Sequence, residues 1–383
     1  MDSNFSAWRG LVMLRALYDT PLGLRLTHTL ETPCGTDADA ALSEQVYRMG
    51  GDLGIALRDT LLSAPTLPVS KPDLIQNEGA RLQLACDLRV LEKLLDAKKL
   101  SDIGAAHHWT ITRQNFADIY FDFLRELPTR GFGMFANHIM FCADDQANLR
   151  PVRFPDDQRL DALFGYARER ELLVANTDKL LDGKCAAHAL IYGDAGTGKS
   201  ATVKAIVNAN APRGLRLAEL KKARLHLLPD LLEYLGAQPL KFVVWMDDLS
   251  FLPDEDGFAV LKSALEGGAS ACAPNCVIYV TTNRRHLVKE TQSERRGDEV
   301  HLADTLQAES SLAARFGLNV LFQRPDKDAY LRIVDQLAEK YGLAMPLDLL
   351  HQQAEALAIR RGGRTPRLAK QFVLSLAGEE YVK

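Results

Sequence analysis

The stretch "GDAGTGKS", residues 193–200, decides the fold of this 383-residue chain. It fits the pattern G-x-x-x-x-G-K-[ST], in which glycines let the backbone curl so that several N–H groups face one set of phosphate oxygens. The apolar run "HALIY" precedes it and the helical pattern "ATVKAIVNAN" follows. The alternative, a glycine turn before an ordinary helix, fits this context less well. We therefore expect Lys199 to reach the outer phosphates of a nucleotide and Ser200 to ligate magnesium.

Short apolar runs alternate with helical patterns over residues 151–324. The candidate strands are "AHALIYG", "GLRLAEL", "KFVVWMD", "CVIYVTT" and "LNVLF". This alternation predicts an α/β fold with a three-layer, doubly wound parallel sheet that binds its ligand at the carboxyl ends of the strands. Residues 325–383 carry only helical patterns, at 326–341, 347–360 and 365–378, which predict a C-terminal helical lid.

Residues 1–150 have mostly helical patterns and no recognisable chemistry. One predicted helix carries Leu11, Leu14, Leu17 and Tyr18 on one face, and "RQNFADIYFDFLREL" carries an aromatic face that includes Tyr120. Such stripes are typical of packing rather than of a cofactor site. We expect an N-terminal helical domain with a structural or partner-docking role.

Composition excludes several classes of protein. A formal charge of −4 gives no general attraction to nucleic acid or anionic membranes. The N-terminus lacks the pattern of a signal peptide, and no apolar run approaches the length of a membrane helix. The six cysteines are scattered, and the close pair in "CAPNC" has too few neighbouring ligands for zinc. These features predict a cytoplasmic protein with reduced thiols.

The stretch "KFVVWMDDLSF" reads as a buried strand that ends on two acids, Asp247 and Asp248. A parallel strand beside the phosphate loop would deliver Asp247 as a magnesium ligand and Asp248 as the residue that prepares a water for attack. The alternative is a helix N-cap, which aspartate favours. Asp248 is shorter than glutamate by one carbon, roughly 1.5 Å, and a misplacement of about 1 Å can lower a rate about a hundredfold. We therefore expect slow hydrolysis.

Three further polar residues follow in positions suited to the same site. Asn283 ends the strand "YVTTN", where its amide would bridge the attacking water and the terminal phosphate, unless it only forms a turn. Arg315 precedes the strand "LNVLF" and would act across a subunit boundary, with a surface ion pair as the alternative. In "RRGGRTPRLAKQF", either Arg364 or Arg367 would reach the nucleotide from the lid, and Arg367 is favoured because it lies inside the helix.

The motifs "GDAGTGKS", "DDLSF", "LKSALEGG", "TTNRRHL", "SLAARFGL" and "RLAKQF", in this order, resemble the AAA+ P-loop ATPases, and specifically a bacterial family of ATPases without an assigned function. The resemblance covers the chain from about residue 153 to the C-terminus. It implies an ATP site shared between neighbouring subunits and a ring or helical homo-oligomer.

The resemblance also implies roles for particular residues. Asp247 and Asp248 would form Walker B, Asn283 would be the polar sensor, Arg315 the arginine finger and Arg367 the lid sensor. Phe164, Gly165 and Tyr166 would lie beside the adenine. Walker A would comprise Gly193, Asp194, Ala195, Gly196, Thr197, Gly198, Lys199 and Ser200, with Ala201 following it. The implied ligands are ATP and Mg²⁺.

Three functions fit these expectations. The first is an ATPase that remodels or assembles a macromolecular partner, with a protein favoured over nucleic acid. The second is an ATP-gated binding module with incidental hydrolysis, which the short Asp248 side chain favours. The third is a DNA-associated ATPase, suggested by the basic stretches "RRHLVK", "SERRG" and "KKAR", although acids are interleaved with them and no stacking aromatics accompany them.

Overall fold

The computed structural model describes residues 3–250, 256–266, 273–283 and 314–378. The chain divides into two units: Met1–Asn137 with Ala237–Leu240, and His138–Gly236 with Lys241–Lys383. The division after Asn137 precedes the expected boundary at residue 150. The reason is that two short strands before residue 152 pair into the sheet of the second unit.

The described part of the first unit is helical, as expected. Its helices are α1 (Ser3–Arg9), α2 (Pro21–Glu31), α3 (Asp37–Arg48), α4 (Leu53–Ser63), α5 (Leu67–Ser70), α6 (Glu78–Leu95), α7 (Lys98–His107), α8 (Phe116–Arg130) and α9 (Met134–Asn137). Leucines and aromatic residues of these helices share one buried core, which includes the predicted face of α8 with Phe116, Tyr120 and Phe123. The aromatic stripe is therefore packing.

The predicted first helix is interrupted. α1 ends at Arg9, and the next helical turn is a 3₁₀ helix at Arg15–Asp19. Between them, the carboxylate of Asp87 accepts hydrogen bonds from the N–H groups of Val12, Met13 and Leu14 at 2.9, 2.7 and 3.1 Å. A buried side chain from α6 thus replaces the intrahelical partners of these groups, and a local apolar pattern does not reveal this substitution.

The second unit contains a seven-stranded sheet in the described residues. Its strands are β1 (Met140–Ala143), β2 (Leu149–Pro151), β3 (Ala189–Gly193), β4 (Leu215–Glu219), β5 (Lys241–Met246), β6 (Cys276–Thr282) and β7 (Leu318–Phe322). The order is β2-β1-β4-β5-β6-β3-β7, and all pairs are parallel except β1 with β2. The five predicted strands are confirmed, and β1 and β2 extend the sheet beyond them.

Helices cover both faces of this sheet, which explains why β5 and β6 are apolar at nearly every position. These helices are α10 (Ala167–Leu181), α11 (Lys199–Asn210), α12 (Leu228–Gly236) and α13 (Asp256–Glu266). Alternate residues such as Val243 and Tyr279 pack in one core with side chains of α10 and α11. The intervening residues, such as Val244 and Ile278, are also fully buried, and α12 contacts β6. The sheet and these helices together form a three-layer α/β architecture.

The chain ends in three helices, α14 (Lys327–Lys340), α15 (Leu347–Arg360) and α16 (Pro366–Ala377), which agree with the predicted lid. They bury a separate core that includes Tyr330 and Phe372. Asp326 caps α14 by accepting from the Ala329 N–H at 2.7 Å, and Thr365 caps α16 by accepting from the Leu368 N–H at 3.2 Å. These caps fix where both helices start.

Candidate nucleotide site

The carboxyl ends of β3, β5 and β6 meet at one edge of the sheet. β6 lies between the other two strands, and all three run parallel. The phosphate loop follows β3, Asp247 and Asp248 follow β5, and Asn283 follows β6. The topology therefore brings together residues that are up to 90 positions apart in the sequence.

The phosphate loop passes directly into α11, which begins at Lys199. Gly193 has φ +133°, and a Cβ there would lie 2.2 Å from the carbonyl oxygen of Phe322, so only glycine fits between β3 and β7. Gly198 has φ +98° immediately before the helix. The loop thus ends at a helix N-terminus, where free N–H groups and the helix dipole favour an anion.

Lys199 is buried, with only 6% of its surface exposed. Its Nζ donates to the carbonyl oxygens of Gly193 and Asp194 at 2.8 Å each and to Oδ1 of Asn283 at 2.9 Å. Burial lowers the pKa of Lys199, against the opposing influence of the three nearby aspartates, of which Asp248 is the strongest. The cation is therefore held beneath the loop, and the phosphates of a nucleotide would favour its charged form.

Ser200 and Asp247 form an all-oxygen pair. The Ser200 hydroxyl donates to Asp247 Oδ1 at 2.6 Å, and the Thr281 hydroxyl donates to the same oxygen at 2.5 Å. A carboxylate and a hydroxyl are hard oxygen ligands, which suit Mg²⁺ when water and phosphate complete its octahedron. The residues present therefore fit a magnesium ion, and Thr281 orients the carboxylate.

Asp248 and Asn283 face each other across the edge of the sheet. The Asn283 Nδ2 donates to Asp248 Oδ1 at 2.7 Å, while the Asp248 N–H donates to the Thr281 hydroxyl at 3.0 Å. Asp248 has φ +49°, in the left-handed region that non-glycine residues seldom adopt. The Asp248 carboxylate is exposed, and its hydrogen bond from the Asn283 amide fixes its orientation. A carboxylate in this setting is able to bind a water molecule.

A cavity of about 900 Å³ extends from the loop toward the lid. Its polar end is lined by residues 195–202 together with Asp247, Asp248 and Asn283. Its apolar end is lined by Leu163, Phe164, Ile333 and Leu337, with the guanidinium of Arg170 beside them. The volume falls in the usual range for small-molecule sites, and the two ends differ in the way that a nucleotide requires.

The segment implied to lie beside the adenine is only partly in the cavity. Phe164 lines it, whereas Gly165 and Tyr166 do not. Tyr166 packs against the ring of Phe322 at 5.1 Å between centroids, and its hydroxyl donates to the Gln323 carbonyl at 2.7 Å. Sequence reasoning missed Leu163, Ile333 and Leu337, because they are ordinary apolar positions in their local patterns.

The three candidate arginines occupy different places. Arg367 lines the cavity, and its backbone N–H donates to the Gly196 carbonyl at 3.3 Å. Arg364 is instead paired with Glu355, with Nε 2.8 Å from Oε1. Arg315 lies just before β7, half-buried, and is not among the described residues that line the cavity.

The basic stretches "RRHLVK" and "SERRG" lie outside the described residues, whereas "KKAR" lies at residues 221–224.

Comparisons with known proteins place the chain in a family. The model for the family described as "Protein of unknown function (DUF815)" matches residues 136–380, well over half of the chain. The chain therefore belongs to this family. A search of curated proteins found no match. Among the described helices, none is long and apolar enough to cross a membrane.

Similar solved structures include a Thermotoga maritima RuvB mutant, at 16% identity and a TM-score of 0.40 over 59% of this chain and 69% of that one. Another is the T. maritima RuvB Holliday junction branch migration motor, at 17% identity and a TM-score of 0.38 over 59% and 68%. A Walker-type ATPase of Pyrococcus abyssi has 19% identity and a TM-score of 0.37 over 59% and 71%.

Proposed function

We propose that this member of the DUF815 family is a Mg-ATP-binding AAA+ ATPase, which hydrolyses ATP slowly at subunit interfaces to remodel or assemble a macromolecular partner. The observation that carries the proposal is the convergence of Lys199, Asp248 and Asn283 at the end of the phosphate loop. Lys199 at the start of α11, Asp248 after β5 and Asn283 after β6 share one hydrogen-bond network, which would bring a cation, a carboxylate and an amide to the transferring phosphoryl group.

The two ends of the cavity suggest how ATP would lie. The phosphates would bind the N–H groups of the loop and the start of α11, and the base would lie against Phe164, Ile333 and Leu337 at the apolar end. In this arrangement Gly165 and Tyr166 would support Phe164 from outside the cavity. The lid would thus contribute Ile333 and Leu337 to the base and Arg367 to the phosphates.

The chemistry needs one proton acceptor and several cations. The oxygen of a water would form a bond to the γ-phosphorus as the bond from phosphorus to the bridging oxygen breaks, and the carboxylate of Asp248 would accept the water's proton. Asn283 would orient that water, and Lys199 and Arg367 would stabilise charge on the phosphate oxygens. Ser200 and Asp247 would hold magnesium, which when bound neutralises charge on the β- and γ-phosphates.

Arg315 would be supplied by a neighbouring copy of the chain, which makes a homo-oligomer part of the proposal. An arginine provided in trans contributes about 10³ to 10⁵ in rate in enzymes that use one. The N-terminal helical unit would dock the partner, for which we favour a protein in the cytoplasm. The sheet would act as the ATPase core, with the lid beginning at residue 325.

A second candidate function is an ATP-gated binding module with incidental turnover. The observation that favours it is the short carboxylate of Asp248, which is already hydrogen-bonded to Asn283. Steady turnover that drops sharply in Asp248→Asn and rises with protein concentration would argue against this alternative.

The proposal is tested with Lys199→Ala in the full chain. Loss of charge-assisted hydrogen bonds to phosphate should weaken ATP binding about 10- to 100-fold and abolish turnover. Lys179→Ala, an exposed lysine on α10, is the matched control and should behave as wild type. Normal ATP binding and hydrolysis by Lys199→Ala, with an unfolding midpoint near that of wild type, would overturn the proposal.

A further inference from the structure

Arg324 connects the phosphate loop to the lid. It lies in the short connection between β7 and α14. Its backbone N–H donates to Asp194 Oδ2 at 3.0 Å, and its guanidinium Nη2 lies 3.7 Å from Asp194 Oδ1. On its other side, Nη1 donates to the carbonyl oxygen of Gly362 at 3.1 Å. One side chain thus contacts the loop after β3 and the turn between α15 and α16.

The turn before α16 is shaped to receive this guanidinium. Gly363 has φ +152°, and a Cβ there would lie 2.3 Å from Nη1 of Arg324 and 2.8 Å from its Cζ. Any larger residue at position 363 would therefore displace the arginine. The glycine pair in "RRGGR" is thus explained partly by backbone conformation and partly by the space that Arg324 occupies.

Both ends of this connection lead to residues of the site. Asp194 belongs to the phosphate loop, and its carbonyl oxygen accepts from Lys199 Nζ at 2.8 Å. Gly362 lies in the turn that leads into α16, whose first turn carries Arg367. A displacement of the Gly362 turn would therefore be passed along a few residues of backbone to Arg367.

We propose that Arg324 is a positioning residue for Arg367: through the ion pair of its guanidinium with Asp194 and its hydrogen bond to the Gly362 carbonyl, it sets the place of the lid arginine relative to the phosphate loop. The inference rests on the proposed ATPase function and names a residue through which that site is organised. Arg324 is not among the described residues that line the cavity, so it acts through Arg367 and not by touching the nucleotide.

The size of the effect follows from geometry and not from the strength of the ion pair. Arg324 and Asp194 have side chains that are 46% and 44% exposed, and ion pairs so exposed contribute little to stability. The position of Arg367 matters more than the strength of this ion pair, because a shift of about 1 Å in a group that stabilises the transferring phosphate can lower a rate about a hundredfold. Removing Arg324 should therefore affect turnover more than folding.

The test compares steady-state ATP turnover of full-length variants. Arg324→Ala should lower kcat about tenfold while the KM for ATP changes about threefold or less, and Arg324→Lys should recover part of the loss. Gly363→Ala should reproduce the defect by displacing the guanidinium. The matched controls are Arg360→Ala, whose guanidinium donates to the Ala356 carbonyl within α15, and Gly342→Ala, where φ is +63° and a Cβ would meet no described atom within 4 Å.

A double variant separates positioning from a general structural role. If Arg324 acts through Arg367, adding Arg324→Ala to Arg367→Ala should cause no further loss of kcat. Additive losses, or wild-type kcat in Arg324→Ala, would overturn this inference while leaving the proposed function intact. If wild-type protein neither binds nor hydrolyses ATP, the proposed function itself fails, so the two failures are distinguishable.

Discussion

The side-chain amide of Asn283 donates to the carboxylate of Asp248 at 2.7 Å, across the ends of two neighbouring strands. The oxygen of the same amide accepts from Lys199 at 2.9 Å, which fixes the orientation of the amide. The carboxylate is therefore placed by a residue whose own position depends on the phosphate loop. Changes at the loop and at the proposed base should consequently be coupled.

The first prediction concerns Asp248→Asn. The amide cannot accept the proton of the attacking water, so kcat should fall about 10²- to 10⁴-fold, the usual contribution of a general base. ATP affinity should stay within about threefold, because the phosphate loop is unchanged. Turnover and ATP binding by calorimetry measure the two effects, and the exposed Asp230→Asn on α12 is the control. Unchanged turnover would remove Asp248 from the mechanism.

The second prediction concerns a shared site. If Arg315 acts in a neighbouring copy, turnover per chain of wild type should rise with protein concentration, and Arg315→Ala should lower it about 10³-fold or more without weakening ATP binding. Mixing Arg315→Ala with Lys199→Ala should restore part of the activity, because the second variant supplies the arginine to the intact site of the first. Mixtures as inactive as the separate proteins would exclude a role in trans.

The third prediction uses two glycines with nearly equal backbone angles. Gly165 and Gly183 have φ +73° and +71°, so alanine should cost about 1 to 2 kcal/mol of stability at either position. Only at Gly165 would the new Cβ meet another residue, Ile333 Cδ1, at 2.8 Å. Because Ile333 lines the cavity, Gly165→Ala should weaken ATP binding severalfold and Gly183→Ala should not. Equal affinities would show that Ile333 does not contact the base.

The fourth prediction concerns Asp52, the N-cap of α4 in the N-terminal unit. Its carboxylate accepts from the Ile55 N–H at 2.9 Å and from the hydroxyls of Thr110 and Thr112 at 2.7 and 2.6 Å. Burial alone would raise the pKa of Asp52, but these hydrogen bonds outweigh it and lower the pKa to about 2. The folded state therefore favours the charged form.

Because this pKa is lower in the folded state, the stabilisation is present above the unfolded pKa of about 4 and is lost as the pH falls toward about 2. Asp52→Asn should lower the free energy of unfolding by roughly 2 kcal/mol at pH 7 and by about half as much at pH 3, where the native carboxylate is still largely charged. Urea unfolding monitored by hydrogen exchange of α4 checks this, with exposed Asp59→Asn as the control. A deficit of equal size at both values of pH would contradict it.

The parts of the fold that follow from the sequence are those with long or repeated local signals. The runs that form β3 to β7 are five to seven residues of apolar sequence between helical patterns, and two of the three lid helices, α14 and α16, begin at a capping side chain. β1 and β2 are only four and three residues long, and β2 ends on a proline. Their strand conformation depends on pairing with each other and with β4, which no local pattern encodes.

The residues of the candidate site fall into the same two groups, those that a local motif predicts and those that depend on tertiary packing. Lys199, Asp247, Asp248 and Asn283 could be placed from motifs, because parallel strands deliver their carboxyl ends to one edge. Leu163 and Ile333 could not, since contact with the cavity depends on how the lid packs over the sheet. Arg324 was equally hidden, because its partners Asp194 and Gly362 are 130 and 38 residues away in sequence.

The left-handed backbone at Asp248 also bears on any attempt to raise the proposed rate of ATP hydrolysis. At φ +49° a short side chain that can bond to its surroundings is tolerated, whereas a longer residue such as glutamate gains reach but loses that accommodation. The short aspartate side chain and the left-handed backbone angle at position 248 therefore suit each other. An accelerated variant would need the turn rebuilt together with the longer acid, so the single exchange to glutamate is a poor measure of what the extra carbon contributes.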